Sequence, residues 1–475
     1  MDTSAAFRFR YRSYQQRVHD ALFRAGKKRL VMVWHRRSGK DRTTLNLMAL
    51  WAIQRPGTYY FFYPTYAQGK KILWDGRTRP EDPTGKGSPV LDDIPEALIV
   101  SKNETEMQIT VRVMDIRSGR DTGLTSIIQI VGTDNMDSIV GTNPLGCAFS
   151  EYALQDPRAW DFVRPILREN GGWAIFLYTP RGRNHGYRLY DMARSPANRE
   201  EWFCELLTVN DTRRDGEGES GLPVVSAEDI EKELREGMDP DLIQQEYFCS
   251  WTGALQGAYY GRQLELARAD GRITRVPWNP RVTVGTAWDL GIGDQNAIWF
   301  YQVNGDMVDL IDYHETTGWG VPEYAKFLKE KPYAYAPYHL APHDIEHREW
   351  GSGRKRKDIA RDLGIKFRTA PKLKVDEGIS AVRVLFSRLR FDEEKCSRGI
   401  DALASYFKEW DPVNACFKNQ PVHNWASHGA DALRTLALGF HEPREARPTH
   451  ARTAFNPLEY EHEFDPLQDV IQRRR

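Results

Sequence analysis

No Cys-x-x-Cys pair occurs in this sequence, and its five cysteines (Cys147, Cys204, Cys249, Cys396 and Cys416) are scattered and odd in number. That pattern argues against a disulfide or zinc framework and for a reducing compartment. Net charge is also missing, with 66 Lys and Arg against 66 Asp and Glu. No global field recruits nucleic acid, so any surface of that kind has to be local. No apolar run reaches the roughly 18 residues of a membrane span. Positions 1–12 are basic but lack the apolar stretch of a secretory signal, so neither membrane insertion nor export is expected. No internal repeat is visible. What is present is 40% apolar and 28% charged residues, the composition of a soluble globular protein. At 475 residues the chain is too long for one ordinary core and is expected to fold as more than one domain.

The expected fold class is α/β in both halves. In the first half, short runs rich in Val, Ile, Phe and Tyr (29–34, 58–63, 126–131, 146–150, 173–178) alternate with helical stretches such as 41–53. This implies a mostly parallel sheet covered on both faces. Positions 210–222 are polar and glycine-rich and predict an exposed loop. The second half opens with three strands, 281–290, 296–303 and 307–314, the last two joined by the turn signal Asn304-Gly305. Helices (321–330, 357–363, 376–390, 397–410, 426–439) and strands (338–342, 365–369) follow. Three antiparallel strands and then alternating helices and parallel strands give the mixed sheet of a ribonuclease H-like fold. The expected division is 1–250, a linker at 251–280, a second domain at 281–441, and a poorly ordered tail at 442–475.

A strand ending in Trp34-His35-Arg36-Arg37-Ser38-Gly39-Lys40 before a helix is a phosphate-binding loop of the G-x-x-x-x-G-K-[ST] type, met only in part. Backbone N–H groups of Ser38 and Gly39 and the helix N-terminus would face phosphate, and Lys40 would reach the β- and γ-phosphates. Trp34 stands at the first glycine position. Asp41 stands at the magnesium-binding Ser/Thr position, with Arg42 beside it and Thr43 or Thr44 able to assist. Arg36 or Arg37 would stabilise charge on the transferred phosphoryl group. The apolar run 146–150 ends in Glu151, placed to activate a water, with Ser150 where an aspartate usually stands. Thr179, before Pro180 at the end of another strand, is a candidate γ-phosphate sensor. Gln15 or Gln16 would read the adenine edge.

Hydrolysis of phosphodiesters by two metal ions needs clustered carboxylates. Asp289 on the first strand of the second half, Asp344 after its fourth and Asp431 on its last helix are expected to meet, with Asp294 as a further ligand. Hard oxygen donors point to Mg2+ or Mn2+. Histidines at 343, 347, 423 and 428 allow a zinc reading, but aspartates dominate and no cysteines support it. His428 would shuttle protons or contact DNA. The run Arg354-Lys355-Arg356-Lys357 predicts a DNA-backbone contact without sequence preference.

These residues resemble the large terminase subunit of tailed bacteriophages, from about Tyr11 to His441. The most specific pieces are His-Arg-Arg-Ser-Gly-Lys-Asp, Phe-Ser-Glu-Tyr-Ala with Trp160, Tyr-Thr-Pro-Arg-Gly-Arg-Asn-His, and the aspartate trio. The resemblance implies a P-loop ATPase domain that moves double-stranded DNA, followed by a nuclease domain that cuts concatemers, with ATP and divalent metal as cofactors. It also implies a homo-oligomeric ring on the procapsid, a portal protein and a small terminase subunit as partners, and the host cytoplasm as location. A helicase-nuclease of repair and a non-catalytic docking subunit with degenerate nucleotide motifs are the alternative readings.

Overall fold

Two sheets organise the chain. This computed structural model describes residues 9–78, 87–134, 141–214, 221–251, 257–291, 295–348, 353–411 and 416–440. The expected tail at 442–475 and Asp294 lie outside the described residues.

The first sheet has eight strands in the order β3-β4-β5-β2-β6-β7-β1-β8. They are β1 (Arg29–Trp34), β2 (Thr58–Tyr63), β3 (Ile99–Asn103), β4 (Gln108–Asp115), β5 (Arg120–Gly132), β6 (Pro144–Ser150), β7 (Trp173–Tyr178) and β8 (Trp202–Leu207). From β5 to β8 every neighbour is parallel, and β3-β4-β5 form an antiparallel margin. The parallel strands read as continuous apolar runs because both faces are covered. Along β1, Leu30, Met32 and Trp34 enter the core that includes Leu45 and Met48 of the helix Lys40–Ala52. Val31 and Val33 enter the opposite core, with Trp160 and Leu167 of the helix Arg158–Glu169. At the β6–β7 contact only glycine fits at 146, since a Cβ there would lie 2.3 Å from the Trp173 ring.

β3, β4, β8 and the outer half of β5 escape the sequence reading. Residues 120–125 are all exposed, so they carry no apolar pattern, and β3 is exposed at four of its five positions.

The second sheet runs β14-β13-β10-β11-β12-β15-β9. Its strands are β9 (Ile273–Thr274), β10 (Gly285–Asp289), β11 (Asn296–Asn304), β12 (Met307–Thr316), β13 (His339–Ala341), β14 (Phe367–Thr369) and β15 (Leu389–Asp392). β10, β11 and β12 are antiparallel, and β13 runs parallel beside β10, as in a ribonuclease H layout. The helix Ser427–Gly439 crosses this sheet, held by Trp299 Nε1 donating to the Gly429 carbonyl at 2.8 Å.

One expected helix, 376–390, is shorter. The helix Val375–Leu385 ends in a 3-10 turn, and β15 follows, pairing with β12. Leu389 and Phe391 there point into the core with period two, a signal a helical reading absorbs. The helix expected at 397–410 likewise stops at Ala404 and is followed by a short ribbon of Lys408–Asp411 against Cys416–Pro421. Within 251–280, read as a linker, lie the helix Gly261–Ala269 and β9, which pairs with β15. Both sheets belong to one compact unit ending at Gly439. Ion pairs tie them: Arg398 reaches Asp156 at 3.0 Å, and Arg188 Nη1 donates to Asp401 at 2.7 Å.

Candidate functional site

The first cluster forms at the C-terminal ends of β1, β6 and β7, where a parallel sheet opens its binding crevice. β7 lies between β1 and β6, so Thr179, just past β7, comes between the loop after β1 and Glu151 after β6. Lys40 Nζ lies 3.2 Å from Glu151 Oε1 and donates to Thr179 Oγ1 at 3.2 Å. Thr179 in turn donates to the Trp34 carbonyl at 3.3 Å. The loop turns on two left-handed residues, Arg37 at φ 72° and Gly39 at φ 82°. Glu151 is left-handed too, at φ 52°. A non-glycine residue in that region costs on the order of 1–3 kcal/mol and persists only where its surroundings impose it.

Charge in this cluster is balanced in the interior. Burial opposes the Lys40 charge, but Glu151 and then Asp41 outweigh it and raise its pKa. Burial alone would raise Glu151, yet Lys40 and Arg181 together hold it below the usual carboxylate range, so it stays ionised. Arg181, three residues past Tyr178, is held by Glu246 at 2.6 Å. The sequence reading missed both residues, and Arg181 was findable because it directly follows Thr179-Pro180. Asp41 is partly buried, and that desolvation, the largest influence, raises its pKa against the pull of Lys40. Its Oδ1 accepts from Ser150 Oγ at 2.5 Å and from Tyr63 Oη at 2.9 Å. Ser38 Oγ, Thr44 Oγ1 and Glu151 Oε2 are buried without a hydrogen-bond partner. A lysine and hard oxygens at these strand ends, with orphaned hydroxyls on the adjoining loop and helix, fit a nucleoside polyphosphate with its cation.

Other expected contacts are placed differently. Gln15 is buried and its amide donates to the Ser38 carbonyl at 3.3 Å while accepting from Arg12 N at 3.0 Å, so it braces the loop instead of facing a base. Gln16 donates to Asp20 at 2.9 Å. Arg42 grips Asp93 through two bonds, at 2.6 and 2.7 Å, and so anchors the helix start to the 3-10 turn Val90–Asp93. Thr43 donates to the Gly39 carbonyl at 2.9 Å. Arg36 and Arg37 are exposed at the loop's tip.

The second cluster lies where the helix Ser427–Gly439 passes the end of β10. His428 Nδ1 is 3.1 Å from Asp289 Oδ2, and Arg434 Nη1 is 3.1 Å from Asp431 Oδ1. Burial, with Asp289 adding to it, raises Asp431 to about 6 against the pull of Arg434 and His428. Two neighbouring, partly buried carboxylates are a donor set that a divalent cation relieves.

The expected trio is not assembled. Asp344 sits in the 3-10 turn His343–Glu346 beyond β13, with His343 at 3.5 Å and His347 at 3.7 Å. Among the described residues no three His, Cys, Asp or Glu side chains are grouped to hold one ion. The basic run is also largely occupied. Lys355 and Lys357 pair with Glu346 at 3.1 and 2.7 Å, drawing its carboxyl down to about 2, and Arg354 pairs with Asp362. DNA phosphate would have to displace those carboxylates.

No family model and no curated protein matches this chain. Among solved structures it is similar to the large terminase of a thermophilic bacteriophage in complex with ADP. That match has 16% identity and a TM-score of 0.39, covering 90% of this chain and 98% of that one. The Thermus phage P74-26 large terminase ATPase domain matches 52% of this chain and 96% of its own length, with 20% identity and a TM-score of 0.34. The P22 large terminase nuclease domain matches 36% of this chain and 88% of its own, with 18% identity and a TM-score of 0.29. At these identities and scores the functional reading rests on the side chains themselves.

Proposed function

We propose that this chain is an ATP-driven motor that moves double-stranded DNA and cuts it, packaging a viral genome into a procapsid. The observation that carries the reading is the Lys40–Thr179–Glu151 cluster at the open end of a parallel sheet. Lys40 neutralises the β- and γ-phosphates. As it turns from Glu151 to the phosphates, it releases a carboxylate already ionised, which accepts a proton from the attacking water. Thr179 shares a hydrogen bond with Lys40 and the Trp34 carbonyl, so movement of the lysine is felt at the end of β7. The cation that accompanies the nucleotide would supply charge neutralisation, held by oxygens of Asp41, Ser150 or Thr44.

In the second cluster Asp289 and Asp431 would hold Mg2+ or Mn2+, and Asp344 would join them only if the turn after β13 moved inward on binding. A metal held there would supply charge neutralisation and water activation, and His428 would orient Asp289. Portal protein, small subunit, a ring of copies and action in the host cytoplasm complete the proposal.

Phosphate release by the purified full chain tests it, with and without duplex DNA. Glu151→Gln is expected to lower turnover by about 10²–10⁴-fold. Turnover unchanged in that variant would remove the assignment of Glu151 and with it the motor.

A further inference from the structure

In the usual phosphate loop a Ser or Thr hydroxyl follows the Gly-Lys pair and touches the magnesium ion, and an aspartate at the end of a neighbouring strand backs it. Here each residue type stands in the other's place. Asp41 follows Lys40 at the start of the helix Lys40–Ala52, and Ser150 closes β6 immediately before Glu151. The two touch, with Ser150 Oγ donating to Asp41 Oδ1 at 2.5 Å.

We propose that the hydroxyl and the carboxylate have exchanged elements, so that Asp41 from the helix and Ser150 from the strand together seat the divalent cation of the nucleotide. The inference rests on the nucleotide-site reading given above. Three features carry it. The exchange conserves the inventory of the site: one carboxylate, one hydroxyl and one lysine, with Lys40 and Ser150 buried and Asp41 partly buried. Tyr63, at the end of β2 between β5 and β6, donates to the same Asp41 oxygen at 2.9 Å and helps fix the carboxylate's orientation. Finally, Thr44 Oγ1, one turn along the same helix, and Ser38 Oγ in the loop are wholly buried hydroxyls without a partner. A buried hydroxyl left unpaired costs on the order of 1–3 kcal/mol, so retention of two on the loop and helix that carry Asp41 points to a polar occupant. Magnesium, which keeps several waters and takes one or two carboxylates plus phosphate oxygens, suits such a seat.

The test compares ADP affinity in Mn2+ with ADP affinity in EDTA, by calorimetry on the full-length chain. The same samples are followed by the electron paramagnetic resonance of bound Mn2+. In the wild type Mn2+ is expected to tighten ADP by about tenfold or more. Asp41→Ser and the isosteric Asp41→Asn should both collapse that ratio towards one and lose the bound-Mn2+ signal. The reciprocal double variant, Asp41→Ser with Ser150→Asp, should recover most of the ratio, which a merely misfolded or weakened site would not do. A full ratio in Asp41→Asn overturns the exchange, and so does a double variant no better than Asp41→Ser. Absence of ADP binding by the wild type under both conditions instead removes the nucleotide site, and the exchange with it.

Discussion

Arg398 Nη2 lies 3.0 Å from Asp156 Oδ1, joining a helix of the second sheet's half to the segment that leaves Glu151. The same guanidinium stands 2.7 Å from Glu315 on β12 and over the Trp425 ring, and both carboxylates are almost completely buried. Removing the cation leaves the buried Glu315 carboxylate without it and Asp156 with Arg158 alone. Arg398→Met is therefore expected to lower unfolding free energy by about 3–5 kcal/mol, the typical loss when one partner of a buried pair is deleted. Urea denaturation measures this, and a loss below about 1 kcal/mol would mean that water already reaches the pair.

A pH-dependent term should come from Glu205 on β8. Burial raises its carboxyl from the ordinary 4.5 to about 7, against the pull of Arg17, and Oε2 has no hydrogen-bond partner. The folded chain then holds that proton more tightly than the unfolded chain. Its stabilising contribution is complete below about pH 4.5 and is lost as pH rises through 7. Glu205→Gln removes the loss, so the variant should gain on the order of 3 kcal/mol over the wild type at pH 8 and little at pH 4. Thermal unfolding at the two pH values reads the difference, and an equal gap at both would contradict it.

Packing at the β6–β7 contact is equally exposed to test. A methyl at 146 would meet the Trp173 ring at 2.3 and 2.4 Å, between two paired strands that cannot separate without breaking the ladder. Gly146→Ala should cost about 1–3 kcal/mol. Adding Trp173→Leu should restore part of it, giving a coupling a double-mutant cycle detects.

For the carboxylate pair, Asp289→Asn should abolish Mn2+-dependent nicking of a supercoiled plasmid. It should also bring Asp431 down from about 6, because one like charge is gone. Nicking that persists in this variant would assign cleavage to other residues.

Much of this was legible in the chain because the informative segments are apolar and buried. β1, β2 and β7 stand where the runs 29–34, 58–63 and 173–178 place them, and the expected loop lysine meets the expected strand-end glutamate. Elements whose side chains face water left no such trace, as at β3 and the outer half of β5. Side-chain partners were the least legible. Arg42, Gln15 and Lys357 have the chemistry to bind phosphate or base, but Asp93, the Ser38 carbonyl and Glu346 claim them, and those neighbours come from distant or unpatterned positions. Asp344 was aligned by strand adjacency, which fixes its backbone to within a turn but says nothing of the histidines on either side.

The position of Asp431 on the last described helix has a consequence for biosynthesis. The first sheet and its Lys40–Glu151 crevice are complete by Leu207, more than two hundred residues before that helix leaves the ribosome. At about 5–20 residues per second, the crevice can fold some 10–40 s before the carboxylate pair exists. On the proposed function, a nascent chain would hold nucleotide well before it could damage a template, an order built into the polypeptide's direction of synthesis.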